Sequence, residues 1–390
     1  MIKLIKSSFY KEAETKKALN KFITNAKILS FNGQCQLFEK NFAKYQKRKE
    51  AIFVNSGSSA NLAIIQALLN LDYLKKGDNV GFSAITWSTN VMPLIQLGLN
   101  PIPIDVELST LNISTSTIKR SLEKKKIKML FLTNLLGFSD EIDEIQLFCK
   151  KNKIILIEDN CESMGTVYKG KKLGNFGLAS TFSFYVGHHM STIEGGMVCT
   201  DNEELATMLR IVRAHGWDRN LSEINQAKVR KEHRVNSSFY SRYTFYDLGY
   251  NLRPTEINGF LGNYQLQFID EITKKRQENF LELAKIYQNP LFCEIKWDHL
   301  DFVSNFAIPI VCKSPETKNK LVKKCNGKVE IRPIVGGNMT KQPFYKKYIK
   351  ESGGKLIKNA SFIHKNGLYF GNNPELTKKE IKELIQIFIE

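Results

Sequence analysis

The stretch AIFVNSGSSANLAIIQALL, residues 51–69, sets four apolar residues, a polar turn and an apolar helix-like run in immediate succession. AIFV has the length of a short buried strand, NSGSS is a cluster of turn-forming residues, and NLAIIQALL has the composition of a buried helix. In such a unit the first amides of the helix have no partner within the helix and face the carboxyl end of the strand. Gly57 lets the backbone approach a ligand closely. The free amides and hydroxyls of Ser58 and Ser59 open the helix toward an anion. A plain capped helix has the same pattern, and this segment alone does not separate the two.

Outward from that unit, strand-like and helix-like segments alternate. The strand candidates are NVGFS (79–83), IPID (102–105), KMLFLTN (128–134) and KIILIED (153–159). EIDEIQLFCKKN (141–152) reads as a helix, and so do residues 37–50, where Leu37, Phe38, Phe42 and Tyr45 share one face. Alternation of this kind predicts an α/β protein with a doubly wound, mainly parallel sheet, in which ligands collect at the carboxyl ends of the strands. Beyond about residue 250 the pattern changes. A long helical stretch (255–288) leads to short strands in NFAIPIVC and VEIRPIV, and then to the helix-like LTKKEIKELIQIFIE. The expected organisation is a large domain over 1–250 and a smaller α+β domain over 251–390. Residues 221–245 fit neither pattern and are expected to form a long excursion or hairpin of functional significance.

Composition narrows the class. The chain has 390 residues, 42% hydrophobic and 25% charged, which suits a soluble globular protein of two domains. No apolar run approaches the roughly 18–20 residues that span a bilayer, and residues 1–10 do not read as a signal peptide, so a cytoplasmic location is expected. The formal charge of +18 is spread over scattered lysines not interleaved with aromatics, which favours a solvated surface over nucleic-acid binding. The seven cysteines are odd in number and lack the CxxC spacing of zinc or iron–sulfur sites, so reduced thiols are expected.

Two further segments carry chemistry. In KIILIEDNCESMG (153–165) an apolar strand delivers Glu158 and Asp159 to its carboxyl end. A carboxylate there suits a metal, proton abstraction or a cationic ring nitrogen, whose proton it would hold in place. In STFSFYVGHHMSTIEGGMVCT (180–200) an alternating strand, Thr181 to Tyr185, runs into His188 and His189, then a polar loop and a second strand. Adjacent side chains usually diverge, and no third ligand is spaced nearby, so a metal site is not expected.

NSGSSANL, EDNCESMG, FSFYVGHHMSTIEGGMV, RAHGWDRN, GYNLRPTEINGFLG and EIRPIVGGN occur in this order along nearly the whole chain. Together they resemble the sugar aminotransferase/dehydratase family of fold-type I pyridoxal-phosphate (PLP) enzymes, whose fold is that of aspartate aminotransferase. Ordinary members carry the Schiff-base lysine five residues after the serine that matches Ser183, and here that position is His188. Histidine at that place, in an otherwise intact pocket, resembles the 3-dehydratases of the family.

The resemblance implies particular roles. Gly57, Ser58, Ser59 and Ser183 would grip the cofactor phosphate, and Trp87 would stack on the pyridine ring. Asp159 would pair with the ring nitrogen and Glu162 would lie near the ring hydroxyl. Asn251 would reach the phosphate of the neighbouring subunit's cofactor, making a homodimer with shared active sites. His215, Arg219, Glu330 and Arg332 fall in segments that the family places near substrate, and His189 is read as structural. Histidine cannot bind the cofactor covalently but can move protons near neutrality. The implied reaction is dehydration at C3 of a nucleotide-linked 4-keto-6-deoxy sugar, GDP being the nearest analogy for the carrier. L-Glutamate would convert PLP back to pyridoxamine phosphate (PMP), and the product would serve 3,6-dideoxy sugar synthesis for a surface polysaccharide. A lysine-free aminotransferase and a non-catalytic PLP-binding protein remain as alternatives. The iron–sulfur branch of these dehydratases is disfavoured, because the chain lacks a cysteine cluster.

Overall fold

A computed structural model describes residues 1–123, 125–350 and 357–389. Its centre is a seven-stranded sheet. In chain order the strands are β1 (Glu50–Val54), β2 (Asn79–Ser83), β3 (Asn100–Ile104), β4 (Met129–Thr133) and β5 (Ile155–Asp159). A two-stranded ribbon follows, β6 (Val167–Tyr168) and β7 (Lys171–Lys172), and then β8 (Ala179–Ser183) and β9 (Gly196–Thr200). The order across the sheet is β1-β9-β8-β5-β4-β2-β3. Every pairing from β3 to β8 is parallel, and β9 runs antiparallel to both of its neighbours. A parallel sheet of this kind must be covered on both faces. All five residues of β4 and of β8 are accordingly buried.

That coverage corrects one expectation. The strand anticipated at Thr181–Tyr185 begins at Ala179, ends at Ser183 and shows no alternation, since both of its faces are packed. Tyr185 has already left the sheet and is exposed. A second correction concerns residues 37–50. The helix is α2 (Gly33–Gln46), after α1 (Glu12–Asn25), and its buried face carries Cys35, Phe38, Glu39 and Phe42. Leu37 is 44% exposed on the opposite side. Lys47 ends the helix in the left-handed region at φ 58°, and the chain enters β1 three residues later.

The three-stranded antiparallel sheet of β10 (Ala307–Val311), β12 (Gly367–Gly371) and β11 (Ile331–Pro333) makes the second layer, with the helices Pro315–Cys325 and Lys378–Ile389. The long helical stretch is broken into Glu256–Leu266 and Ile269–Leu283. We propose to keep the division at 250 as the domain boundary, with two exchanges across it. Helix Glu256–Leu266 packs on α2, and Ile2 pairs with Val329 beside the small sheet. The first exchange is tied by Glu256, whose buried carboxylate accepts the amides of Asn32, Gln34 and Cys35 at 2.8–3.0 Å, at the start of α2. These are amides that a helix leaves without partners.

Residues 221–245 do not form a hairpin. They contain the helix Glu223–Glu232 and a short turn of 3-10 helix, Tyr240–Tyr243, with Phe239, Tyr240, Tyr243 and Phe245 exposed. None of the described helices is long and apolar enough to cross a membrane. The seven cysteines are free, and five of them are buried.

Candidate active site

β1 turns directly into α3 (Gly57–Asn70), whose first residues reach the carboxyl ends of β5 and β8. Ser56 caps the helix, its hydroxyl oxygen accepting the amide of Ser59 at 3.0 Å. Gly57 is required by proximity, because a Cβ there would sit 2.6 Å from Cβ of Ser183. The open amides at this helix start face a cleft of about 440 Å³ between the two sheets.

At the end of β5 the buried Asp159 is held by neutral donors. Its Oδ2 accepts from the side-chain amides of Asn90 at 2.7 Å and Asn61 at 3.0 Å, and its Oδ1 accepts the amide of Cys161 at 2.9 Å. No described side-chain cation pairs with it. A buried carboxylate fixed by three donors and left without a counter-charge is suited to a cationic ring nitrogen. Glu162, one turn further, accepts the amide of Leu136 at 2.8 Å. Burial, reinforced by Asp159, raises its pKa to about 8 despite that bond, so its carboxyl group is protonated at neutral pH.

Beyond β8 the chain makes a tight turn in which the amide of His188 donates to the carbonyl of Tyr185 at 2.9 Å. The imidazole lies edge-on to Phe306 and Tyr185, with ring centroids 5.3 and 6.0 Å away. Its Nδ1 is buried without a hydrogen-bond partner among the described residues. Burial lowers its pKa to about 4, outweighing the opposite pull of Asp159. The ring is therefore a neutral base at physiological pH. His189 turns away from the cleft and sets its Nε2 against the carbonyl of Ser304 at 3.1 Å. The two histidines diverge, and no described group of His, Cys, Asp and Glu is arranged to hold a metal.

Eight of the residues singled out in the sequence line this one cleft: Gly57, Ser58, Trp87, Asp159, Glu162, Ser183, His188 and Arg332. Trp87 stands at its mouth, 54% exposed. Ser59 does not line it, because its hydroxyl is committed to Asn55 Oδ1 at 2.6 Å within the helix cap. Glu330 borders the cleft through Arg332, whose Nη2 it accepts at 2.7 Å, and its other oxygen takes the amide of Leu4. Asn251, His215 and Arg219 lie outside the cleft of their own chain. Asn251 forms a bridge with Ala214 and accepts from Nε of Arg253 at 3.0 Å. The ring of His215 packs on Trp217, and the guanidinium of Arg219 lies over Trp217 and Tyr243, on an exposed face.

Several cleft residues had not been singled out. Asn61 stands one helical turn beyond Gly57, so its direction toward the site was available from the spacing alone. Phe306 and Tyr369 arrive from the small sheet, and Leu4 and Ile5 from the amino-terminal segment. No local pattern marks those four.

This is the architecture of the fold-type I PLP enzymes. The chain belongs to the DegT/DnrJ/EryC1/StrS aminotransferase family, whose family model matches residues 10–388. Within it, the chain is similar to the GDP-4-keto-6-deoxy-D-mannose 3-dehydratase of Yersinia pseudotuberculosis, with 35% identity over 370 residues, 94% of this chain and 93% of the relative. A crystal structure of GDP-4-keto-6-deoxymannose-3-dehydratase with a trapped PLP–glutamate geminal diamine aligns over 100% of both chains, with a TM-score of 0.89 and 32% identity. A mutant GDP-4-keto-6-deoxymannose-3-dehydratase with bound GDP-perosamine also aligns over 100% of both, with a TM-score of 0.88 and 33% identity.

Proposed function

We propose that this chain is a PLP/PMP- and L-glutamate-dependent 3-dehydratase acting on a GDP-linked 4-keto-6-deoxy sugar. The observation that carries the reading is the side chain at the floor of the cleft. A neutral imidazole, His188, lines the cleft at the position the family resemblance gives to the Schiff-base lysine, and no lysine lines the cleft among the described residues.

The residues present fit the cofactor. The amides at the start of α3, with Ser58 and the hydroxyl of Ser183, would take its phosphate, and the missing Cβ of Gly57 leaves them their approach. Asp159 would take the ring nitrogen and Trp87 would cover the ring. When bound, the cofactor in its amine form supplies a nitrogen for the sugar's C4 ketone and a conjugated ring that accepts electrons. Asp159 would keep the ring nitrogen protonated, which would maintain that electron demand. His188 would take the proton from the carbon that bears the nitrogen as the hydroxyl at sugar C3 departs, and hydrolysis would then leave the sugar as a 3-deoxy-4-ketone with its nitrogen lost as ammonia. The imidazolium so formed is the acid available to the departing group. Glu162, protonated, would have a carboxyl hydrogen to donate toward the ring hydroxyl. With L-glutamate the same imidazole would move a proton in the reverse sense, glutamate's nitrogen passing to the cofactor and its carbon skeleton leaving as 2-oxoglutarate. Arg332, with Glu330, lies on the substrate side of the cleft.

The reading extends to a homodimer in which Asn251 completes the partner's phosphate site, with His215 and Arg219 facing that shared site, and to a cytoplasmic enzyme supplying 3-deoxy sugars for a surface polysaccharide. The decisive test is the mass of the sugar product formed with pyridoxal phosphate and glutamate from GDP-4-keto-6-deoxymannose. A 3-deoxy-4-keto product with 2-oxoglutarate is expected, and a 4-amino sugar as the only product would make the chain an aminotransferase. His188→Asn is expected to bind the cofactor and to lose dehydration by at least about a hundredfold. Undiminished turnover in that variant would remove His188 from the mechanism.

A further inference from the structure

Behind His188, on the side away from the cleft, lies a small chamber lined by His188, His189, Arg276, Tyr10 and Glu375. Arg276 comes from helix Ile269–Leu283 and is buried, with 4% of its surface exposed. Its guanidinium donates to two main-chain carbonyls, from Nη2 to His188 at 3.0 Å and from Nη1 to Asn372. No described carboxylate pairs with it, and its Nε has no partner. A buried cation without a counter-charge is costly, so it is a feature to be explained by what it does to its neighbours.

We propose that Arg276 is a positioning residue for the proton transfer at His188: it fixes the turn that aims the imidazole and sets an unneutralised positive charge directly behind it. This inference rests on the assignment of His188 as the proton-transferring group. The groups facing the imidazole can be set out by the element that brings them. Asp159 comes from β5 and favours the imidazolium, while Arg276 comes from the helix behind and disfavours it. Tyr185 and His189 belong to the same loop, Tyr10 and Glu375 line the chamber, and Glu162, Arg332 and Tyr369 line the cleft in front. His189 is held neutral by burial and by the same Arg276. Burial lowers the pKa of Arg276 only to about 9, so it remains charged at the pH where the enzyme would work.

The anchoring half of the proposal follows from the bond pattern. The loop after β8 is closed at its base by the amide of Thr192 donating to the carbonyl of Phe184, but the main chain of His188 is held within it by one bond, from its own amide to the carbonyl of Tyr185. The second hold on the same residue is the guanidinium, whose other arm grips Asn372 just beyond β12. Arg276 therefore joins the imidazole loop of the large layer to the small sheet that supplies Phe306 and Tyr369 to the cleft.

The test uses the cofactor-free full-length protein, in which the six histidines are labelled and titrated by NMR, with the His188 signal assigned by its loss in His188→Asn. In the unmodified protein His188 is expected to titrate near pH 4. In Arg276→Gln and Arg276→Met the midpoint is expected to rise by about one pH unit, and the acid limb of kcat/KM of the reconstituted enzyme to move with it. Arg276→Lys keeps the charge but loses the fork. It is expected to leave the midpoint within a few tenths of a unit while kcat falls about tenfold, with KM little changed. An unchanged midpoint in a folded Gln or Met variant would overturn the proposal. If neither neutral variant folds, the Lys variant decides, and a midpoint there at the ordinary histidine value of about 6.5 would overturn it too. Full activity in His188→Asn would instead defeat the reading of His188 itself, whatever the Arg276 variants do.

Discussion

Glu162 and His188 are driven from their usual titration ranges in opposite directions by one cause, the loss of water around them, and both are uncharged at neutral pH. A protonated carboxyl and an unprotonated imidazole in one cleft form a donor–base pair of the kind that acid–base chemistry needs. The pH dependence follows from the two directions. Glu162 is raised in the fold, so the folded state binds more protons than the unfolded chain up to about pH 8 and loses stability from this group as pH rises through that window. His188 is lowered, so its contribution is present above the unfolded value of about 6.5 and is lost as pH falls toward about 4. We expect kcat/KM to fall above pH 8 by about tenfold per unit, and Glu162→Gln, which cannot ionise, to remove that break. A persistent break in the variant would place the alkaline titration elsewhere. Gly57→Ala is expected to weaken pyridoxal phosphate binding by about tenfold or more and to cost about 1–3 kcal/mol, read by fluorescence titration and urea unfolding, because the new methyl meets Ser183.

At the scale of the elements, Glu256 invites the clearest prediction. It satisfies three amides at the start of α2 with one carboxylate. Glu256→Gln is expected to lower stability by about 1–3 kcal/mol in urea unfolding, with little effect on turnover. Element by element, legibility in the sequence depended on how local the cause is. NVGFS reads as a strand and is β2 over the same residues, 79–83, because a short apolar run bounded by turn residues has few other uses. The assignment of position 188 came from the family resemblance, whereas the local pattern of strand, turn and return strand marks only where the turn lies. Leu37 was misplaced because two helical faces are separable only once the partner helix, Glu256–Leu266, is known. Asn90, Tyr369 and Leu4 were not visible at all. They meet Asp159, Arg332 and Glu330 respectively, through contacts between segments far apart in the chain, which no local period encodes.

On the scale of the whole molecule, the cleft of one chain is short of the residues that the family resemblance placed there. Asn251, His215 and Arg219 sit together on an exposed face beside Phe239, Tyr240 and Tyr243. The proposed two-fold dimer brings that face to a second cleft. Mixing His188→Asn with Asn251→Ala subunits tests it. Each parent is expected to be inactive or nearly so, whereas re-equilibrated mixtures should regain about a quarter of the native rate, because mixed dimers hold one cleft intact. No recovery, with dimers shown by sedimentation, would mean that each subunit works alone.

The abutment of Gly57 on Ser183 has a consequence for tolerance. The anion-binding end of α3 and the turn that presents the imidazole are both referenced to the last residue of β8, so thermal drift of that strand carries the two ends of the coenzyme seat in the same direction. Their separation is thereby insulated from breathing of the sheet. A coenzyme held without a covalent tether would need that constancy, because only non-covalent contacts at its phosphate and ring would keep its far end in register with the base.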